Sequence, residues 1–184
     1  MIKKILLCAT FLLMFVMPVQ AETFVIDATK NAIAHNEKGL FFMRLKYYPA
    51  AINEFMLAIA LNPDSELSAV CYNNLGLAYM QIAYYDAAEK CFKKAVELKP
   101  YNIGYAENLI RISTKRKKIG ALKSRYEKMH LKDINSLQPY LMLGLIHKNM
   151  GNTGSAEEYL NEFVRLAPHL DMTNEVRTVI KELK

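Results

Sequence analysis

Residues 74–81 read NNLGLAYM. Leu75, Leu77, Ala78 and Tyr79 suit a helix, whereas Gly76 inside one costs about 1 kcal/mol relative to alanine. A helix that keeps such a residue must gain something where it sits. The gain shows when the rest of the chain is aligned on this stretch to look for repeats. Gly39, Gly76 and Gly144 are separated by 37 and then 68 residues. The same two offsets connect Pro63 with Pro100 and Pro168, and Ala51 with Ala88 and Ala156. Large side chains keep the step as well, with Phe55, Phe92 and Leu160 in one column and Phe42, Tyr79 and His147 in another. Since 68 is twice 34, and 37 is 34 plus a three-residue insertion, the chain is built on a 34-residue period.

On these residues the chain resembles the tetratricopeptide repeat (TPR) family, whose unit is two antiparallel helices in 34 residues. Residues 69–102 carry the motif nearly whole in Tyr72, Leu75, Gly76, Tyr79, Tyr85, Ala88, Phe92, Ala95 and Pro100. Residues 32–65 keep Gly39, Phe42, Tyr48, Ala51, Phe55, Ala58 and Pro63, and residues 137–170 keep Tyr140, Leu143, Gly144, Gly151, Ala156, Leu160 and Pro168. Residues 103–136 have the right length but little of the motif: Ile110 replaces the glycine, Leu122 the facing alanine and Ile134 the proline. That segment is either a degenerate unit with splayed helices or a hairpin of another geometry. Residues 171–184 place Val176, Val179, Ile180 and Leu183 on one face, as a helix capping the last unit of a stack would.

The resemblance implies an all-α fold, an α-solenoid of antiparallel helix pairs wound into a right-handed superhelix. Within a pair, Gly39 is expected opposite Ala51, Gly76 opposite Ala88 and Gly144 opposite Ala156, so that two small side chains allow a close crossing. Pro63, Pro100 and Pro168 follow the second helices and stop them.

Residues 1–21 stand apart from this pattern. Lys3 and Lys4 precede an uncharged run from Ile5 to Met17, and Val19-Gln20-Ala21 supplies a cleavage site before Glu22. The run is short of the roughly 20 residues that span a bilayer. We read 1–21 as a secretory signal peptide and 22–184 as the mature TPR domain, exported to a bacterial periplasm. An uncleaved leader anchoring the chain in the inner membrane is the alternative. Leu7 is too bulky for Cys8 to be a lipidation site. The mature chain keeps Cys71 and Cys91, and whether they bridge depends on geometry that their spacing does not fix.

With 52% hydrophobic and 23% charged residues the chain has the composition of a folded domain. It shows no convergent acid, base and nucleophile, and its cysteines and four histidines are not at metal-ligand spacings. His35 and His147 fall at packing positions. The stretch GNTGS at 151–155 lacks the lysine and strand of a phosphate loop and occupies the turn of the fourth unit. The expectation is a non-enzymatic protein with no cofactor, no metal and no small-molecule substrate.

The resemblance further implies a concave groove lined by first helices. Its positions fall on Asn36, Leu40, Met43 and Arg44, then on Asn73, Asn74, Leu77, Met80 and Gln81. In the third unit they are Glu107, Asn108, Arg111, Thr114 and Lys115, and in the fourth Leu141, Met142, Leu145, Lys148 and Asn149. Asparagine amides can donate to and accept from an extended backbone, and methionine and leucine supply an adaptable apolar floor. Leu40, Leu77, Leu141 and Leu145 are expected as one exposed strip, so the partner is expected to be a peptide or helix of an envelope protein complex. TPR domains that clamp a C-terminal carboxylate carry a set of lysine, asparagine and basic residues of which only Asn74 is present here.

Charge is unevenly spread. The mature chain is +4, the stretch from Arg111 to Lys132 is +8 and the remainder −4. Lys115, Arg116, Lys117, Lys118, Lys123 and Arg125 form a basic patch expected to draw acidic protein segments or an anionic membrane surface. No aromatic platform accompanies it, so nucleic acid is not expected as a partner.

Overall fold

The computed structural model describes residues 28–184, and the leader read above lies outside them. Every regular element among the described residues is a helix. Residues 28–44 form α1, followed by α2 (Tyr48–Leu61), α3 (Glu66–Gln81), α4 (Tyr85–Leu98), α5 (Ile103–Lys115), α6 (Ile119–Lys132), α7 (Leu137–Asn149), α8 (Thr153–Leu166) and α9 (Thr173–Lys181). α3 packs on α4 and α7 on α8, while α2 and α4 each pack on the first helix of the unit that follows. The chain is thus an α-solenoid. Each of Pro63, Pro100 and Pro168 lies two residues beyond the end of a second helix. α3 starts from a reciprocal cap, in which Ser65 Oγ accepts from the Ser68 amide at 3.0 Å and Ser68 Oγ accepts from the Ser65 amide at 2.9 Å.

The glycines sit differently from expectation. A Cβ added at Gly76 would lie 2.6 Å from the Phe92 ring, one at Gly39 2.5 Å from the Phe55 ring, and one at Gly144 2.6 Å from Leu160. Each glycine is therefore a hole filled by a large knob, and at Gly144 the Ala156 carbonyl also lies 3.4 Å from the added Cβ. Ala51, Ala88 and Ala156 lie one helical turn before the knobs and are fully buried, so they admit the crossing without facing the glycine as its nearest neighbour.

The turn inside each unit repeats to the atom. Lys46, Ala83, Lys117 and Gly151 all have left-handed backbone, at φ 61°, 62°, 57° and 78°. The amide of the following residue donates five positions back in every case: Tyr47 to Phe42 at 2.9 Å, Tyr84 to Tyr79 at 2.9 Å, Lys118 to Ser113 at 2.7 Å and Asn152 to His147 at 2.9 Å. This is the Schellman motif, which satisfies the last carbonyls of a helix. Residues 117–118 share it, so the degenerate segment forms the same kind of hairpin turn as its neighbours.

What the third segment lacks is close contact between its own helices. Ile110 and Leu122 are both buried where glycine and alanine stand elsewhere, and α5 touches α6 far less than α3 touches α4. α7 packs against α5, α6 and α8 together, and every residue from Pro139 to His147 is buried. Leu141 and Leu145, expected in an exposed strip, therefore belong to the core, at 0% and 2% exposure. α9 turns Val176, Val179 and Ile180 inward and covers α8. Cys71 and Cys91 are free, buried thiols, and burial pushes them up to about 11 and about 12.

Two substitutions test this account. Gly76→Leu must displace the Phe92 ring and is expected to destabilise the domain by roughly 1–3 kcal/mol or more in urea unfolding. Ala83→Gly relieves a left-handed alanine and is expected to stabilise it by roughly 0.5–1 kcal/mol, the added freedom of the unfolded glycine included.

Candidate partner-binding groove

The first helices α1, α3, α5 and α7 are tied to one another by polar side chains. Asn74 Nδ2 donates to Asn36 Oδ1 at 3.3 Å, and the Cys71 thiol donates to the same oxygen at 3.4 Å. Asn108 Nδ2 donates to Asn73 Oδ1 at 2.7 Å, and Arg111 donates to Asn108 Oδ1 at 2.8 Å. Thr114 Oγ1 donates to Asn149 Oδ1 at 2.8 Å. The residues expected to hold a partner backbone thus hold one another first. The pairs are 35 to 38 residues apart, each one residue more than the repeat offset, so polar side chains recurring near that spacing were the signal that they meet. A partner is left with the second end of three amides: Asn73 and Asn149 keep Nδ2 donors, and Asn74 keeps its Oδ1 acceptor.

Between α5 and α7 the wall opens into a cleft of about 280 Å³, lined by Glu107, Asn108, Ile110, Arg111, Leu145, Lys148 and Asn149. Six predicted residues, Glu107, Asn108, Arg111, Leu145, Lys148 and Asn149, come together here, with Leu145 as a buried floor rather than an exposed strip. Lys148 lies 3.1 Å from Glu182 and 3.9 Å from Glu107, so its charge is largely matched. Further toward α1, Leu40, Met43, Leu77 and Met80 are partly buried against the two core clusters. Asn36 is buried, and Leu141 lies out of reach beneath the surface.

The basic patch is partly committed within the protein. The Arg116 guanidinium bridges Asp86 and Glu89 of α4. The Lys115 ammonium sits 4.8 Å from the centre of the Tyr85 ring. Lys123 pairs with Glu127 at 3.4 Å, and the Arg125 guanidinium lies 5.9 Å from the Tyr126 ring. Lys117 and Lys118 project from the turn and are exposed.

Sequence reasoning passed over two buried acids and a histidine cluster. Burial alone would raise the Glu54 carboxyl, but hydrogen bonds from His35 at 2.6 Å and Lys38 at 2.7 Å hold it below its ordinary value. Glu89 is likewise held down against burial by Lys93 at 2.5 Å, with Arg116 and Lys118 adding to it. His35 is a satisfied packing residue. His147 is not: it is buried, its Nδ1 has no partner, and its ring stacks 5.6 Å from Tyr159. His130 packs 6.2 Å from the same Tyr159 ring, and its Nδ1 also lacks a partner. No group of three potential metal-ligating residues exists among the described residues.

Desolvation, reinforced by the Lys123 charge and opposed by Glu127, lowers His147 from its ordinary 6.5. As pH falls through that ordinary value the unfolded chain takes up a proton that folded His147 refuses, so stability declines. The urea midpoint is expected to drop from about pH 7.5 to about pH 5.5, and His147→Leu to flatten that slope. An unchanged slope would place the acid sensitivity elsewhere.

The profile of the tetratricopeptide repeat family matches residues 32–65, 69–102 and 137–170. Among solved structures, a tetratricopeptide repeat protein from Parabacteroides merdae aligns with a TM-score of 0.51 at 15% identity, over 84% of this chain and 60% of that one. PilF of Pseudomonas aeruginosa aligns with a TM-score of 0.50 at 20% identity, over 80% of this chain and 66% of that one. MamA from Desulfovibrio magneticus aligns at 0.48 and 16% identity, over 83% and 89%. At such identities the likeness is one of fold. No curated protein matches the chain. The family match skips the unit that lost its small residues, yet covers more than half of the sequence, and the chain belongs to the tetratricopeptide repeat family.

Proposed function

We propose that this interaction scaffold works in the bacterial cell envelope, exported by residues 1–21, and holds a segment of a partner protein in the groove of its first helices. It does so without catalysis, as one part of a larger complex. The observation that carries the reading is the wall itself. Four helices are locked in register by side-chain amides, and the wall ends in a cleft where Glu107, Asn108, Arg111, Lys148 and Asn149 gather above Leu145. A wall fixed in advance loses little conformational freedom on binding, and its unused amide ends match an extended backbone. The alternative, docking on anionic membrane through the basic turn, is the weaker reading because Arg116 is already neutralised by Asp86 and Glu89.

Affinity capture from envelope extract tests both halves of the proposal. Intact mass is expected to begin at Glu22, and the captured partner is expected to be lost on Leu77→Glu combined with Arg111→Glu. Leu77 is half-buried against the core and Arg111 bonds Asn108, so capture is run well below the thermal midpoint of the variant. A partner retained by that variant contradicts the groove, and a chain beginning at Met1 contradicts export.

A further inference from the structure

The first unit carries an apolar surface that its sister units lack. Phe41 on α1 corresponds by repeat spacing to Ala78, Ile112 and Ile146. Those three are fully buried, and Ala78 is clustered with Ala51, Ile52 and Phe55 of the preceding α2, whereas Phe41 is 49% exposed. Ile33 and Leu45, two turns before Phe41 and one turn after it, are exposed as well. On α2, Met56 and Leu57 are exposed at positions where α4, α6 and α8 carry Lys93 and Lys94, Glu127 and Lys128, and Asn161 and Glu162. The counterpart of Leu57 shows which way it faces, because Lys94 reaches back 3.2 Å to Asp64 at the end of the preceding unit. Phe41 and Leu57 therefore face the space in which a preceding unit would stack, with Ile33, Leu45 and Met56 exposed beside them.

An end face of a solenoid is ordinarily polar, and a contiguous apolar one marks an association site. The opposite end follows the rule, since α9 turns Asn174, Glu175, Arg177, Thr178 and Lys181 to solvent. Removal of residues 1–21, on which this step rests, leaves six residues ahead of residue 28. Six residues are far fewer than the 34 of the unit that would stack there. A head-to-tail neighbour would bring only the polar side of α9. The same face of a second copy is complementary in both respects. It is apolar, and it carries opposite charges on one stripe: Glu37 is exposed between Ile33 and Phe41, and the Arg44 guanidinium lies 6.0 Å from the Phe41 ring. A two-fold crossing of α1 on α1 of the partner lets Glu37 of each copy approach Arg44 of the other.

We propose that the α1–α2 end face is a two-fold interface and that the protein is a head-to-head dimer, with the two grooves running away from the contact. Sedimentation velocity over a concentration series on the exported chain, its N-terminus read by intact mass, is expected to show a dimer at low micromolar concentration. Phe41→Glu with Leu57→Glu is expected to weaken association by on the order of a hundredfold, as charges buried at the centre of an interface do, with the helical signal unchanged. Glu37→Cys provides a second measurement that leaves the apolar face intact. Cys71 and Cys91 are buried, so a short bis-maleimide is expected to join two copies through the new thiol alone. A monomer at every concentration overturns the proposal, and so does a dimer that survives the double substitution and is not joined through Glu37→Cys. Retention of Met1 would defeat the export reading by itself, while the same runs still report the dimer.

Discussion

Phe92 lies over Gly76 with no room for a methyl group between them, and the same relation holds for Phe55 over Gly39 and Leu160 over Gly144. This fit of a large side chain into a missing one sets how closely two helices in a unit approach. It outweighs the helix propensity lost at each glycine, because the packing it allows runs along the whole pair. Where Ile110 fills the hole the pair opens, and α7 enters to cover the apolar sides of both α5 and α6. One substitution in the pattern therefore moves a neighbouring helix from the wall of a groove into the centre of a core.

The groove inherits its properties from that stacking. Equivalent first helices lie side by side once per unit, so polar residues one position beyond the repeat offset meet. Asn36 meets Asn74, Asn73 meets Asn108, and Thr114 meets Asn149. A buried amide without a partner is costly, which makes this ladder a condition of the fold as much as a surface for recognition. Its residues cannot be assigned to binding alone, since Asn73, Asn74 and Asn149 each have a structural use of one end and a spare use of the other, while both ends of Asn108 are taken.

Much of this was legible in the sequence. The period, the proline stops, the turn at Gly151 and the capping helix rest on residues whose local behaviour is the same wherever they occur, while Thr153, Gly154 and Ser155 already belong to α8. The misplaced features depend on neighbours that no local pattern names. Leu141 and Leu145 hold groove positions by repeat spacing, and they are buried only because the unit before them is open. Lys46, Ala83 and Lys117 give no left-handed signal of their own; Gly151 alone suits that backbone. That the Phe92 ring, one helical turn beyond Ala88, comes nearest to Gly76 is something column alignment does not resolve. The unpartnered Nδ1 of His147 is a property of the space between three helices.

The basic third segment poses a related problem of attachment. Its own helices share little contact, so something else must fix its turn to the stack. Arg116 does this by bridging Asp86 and Glu89, and Lys115 by lying over Tyr85, all on α4. Burying the Glu89 carboxylate would be unfavourable alone, but Lys93 and Arg116 both meet it, and such pairs repay desolvation when the geometry is close. The positive run thus divides by burial. Arg116 works inside the protein, where salt screens it poorly, while Lys117 and Lys118 stand in solvent, where salt screens them well. A net charge of +8 across the segment overstates what reaches outward, because part of that charge takes the place of the helix packing that Ile110 and Leu122 prevent.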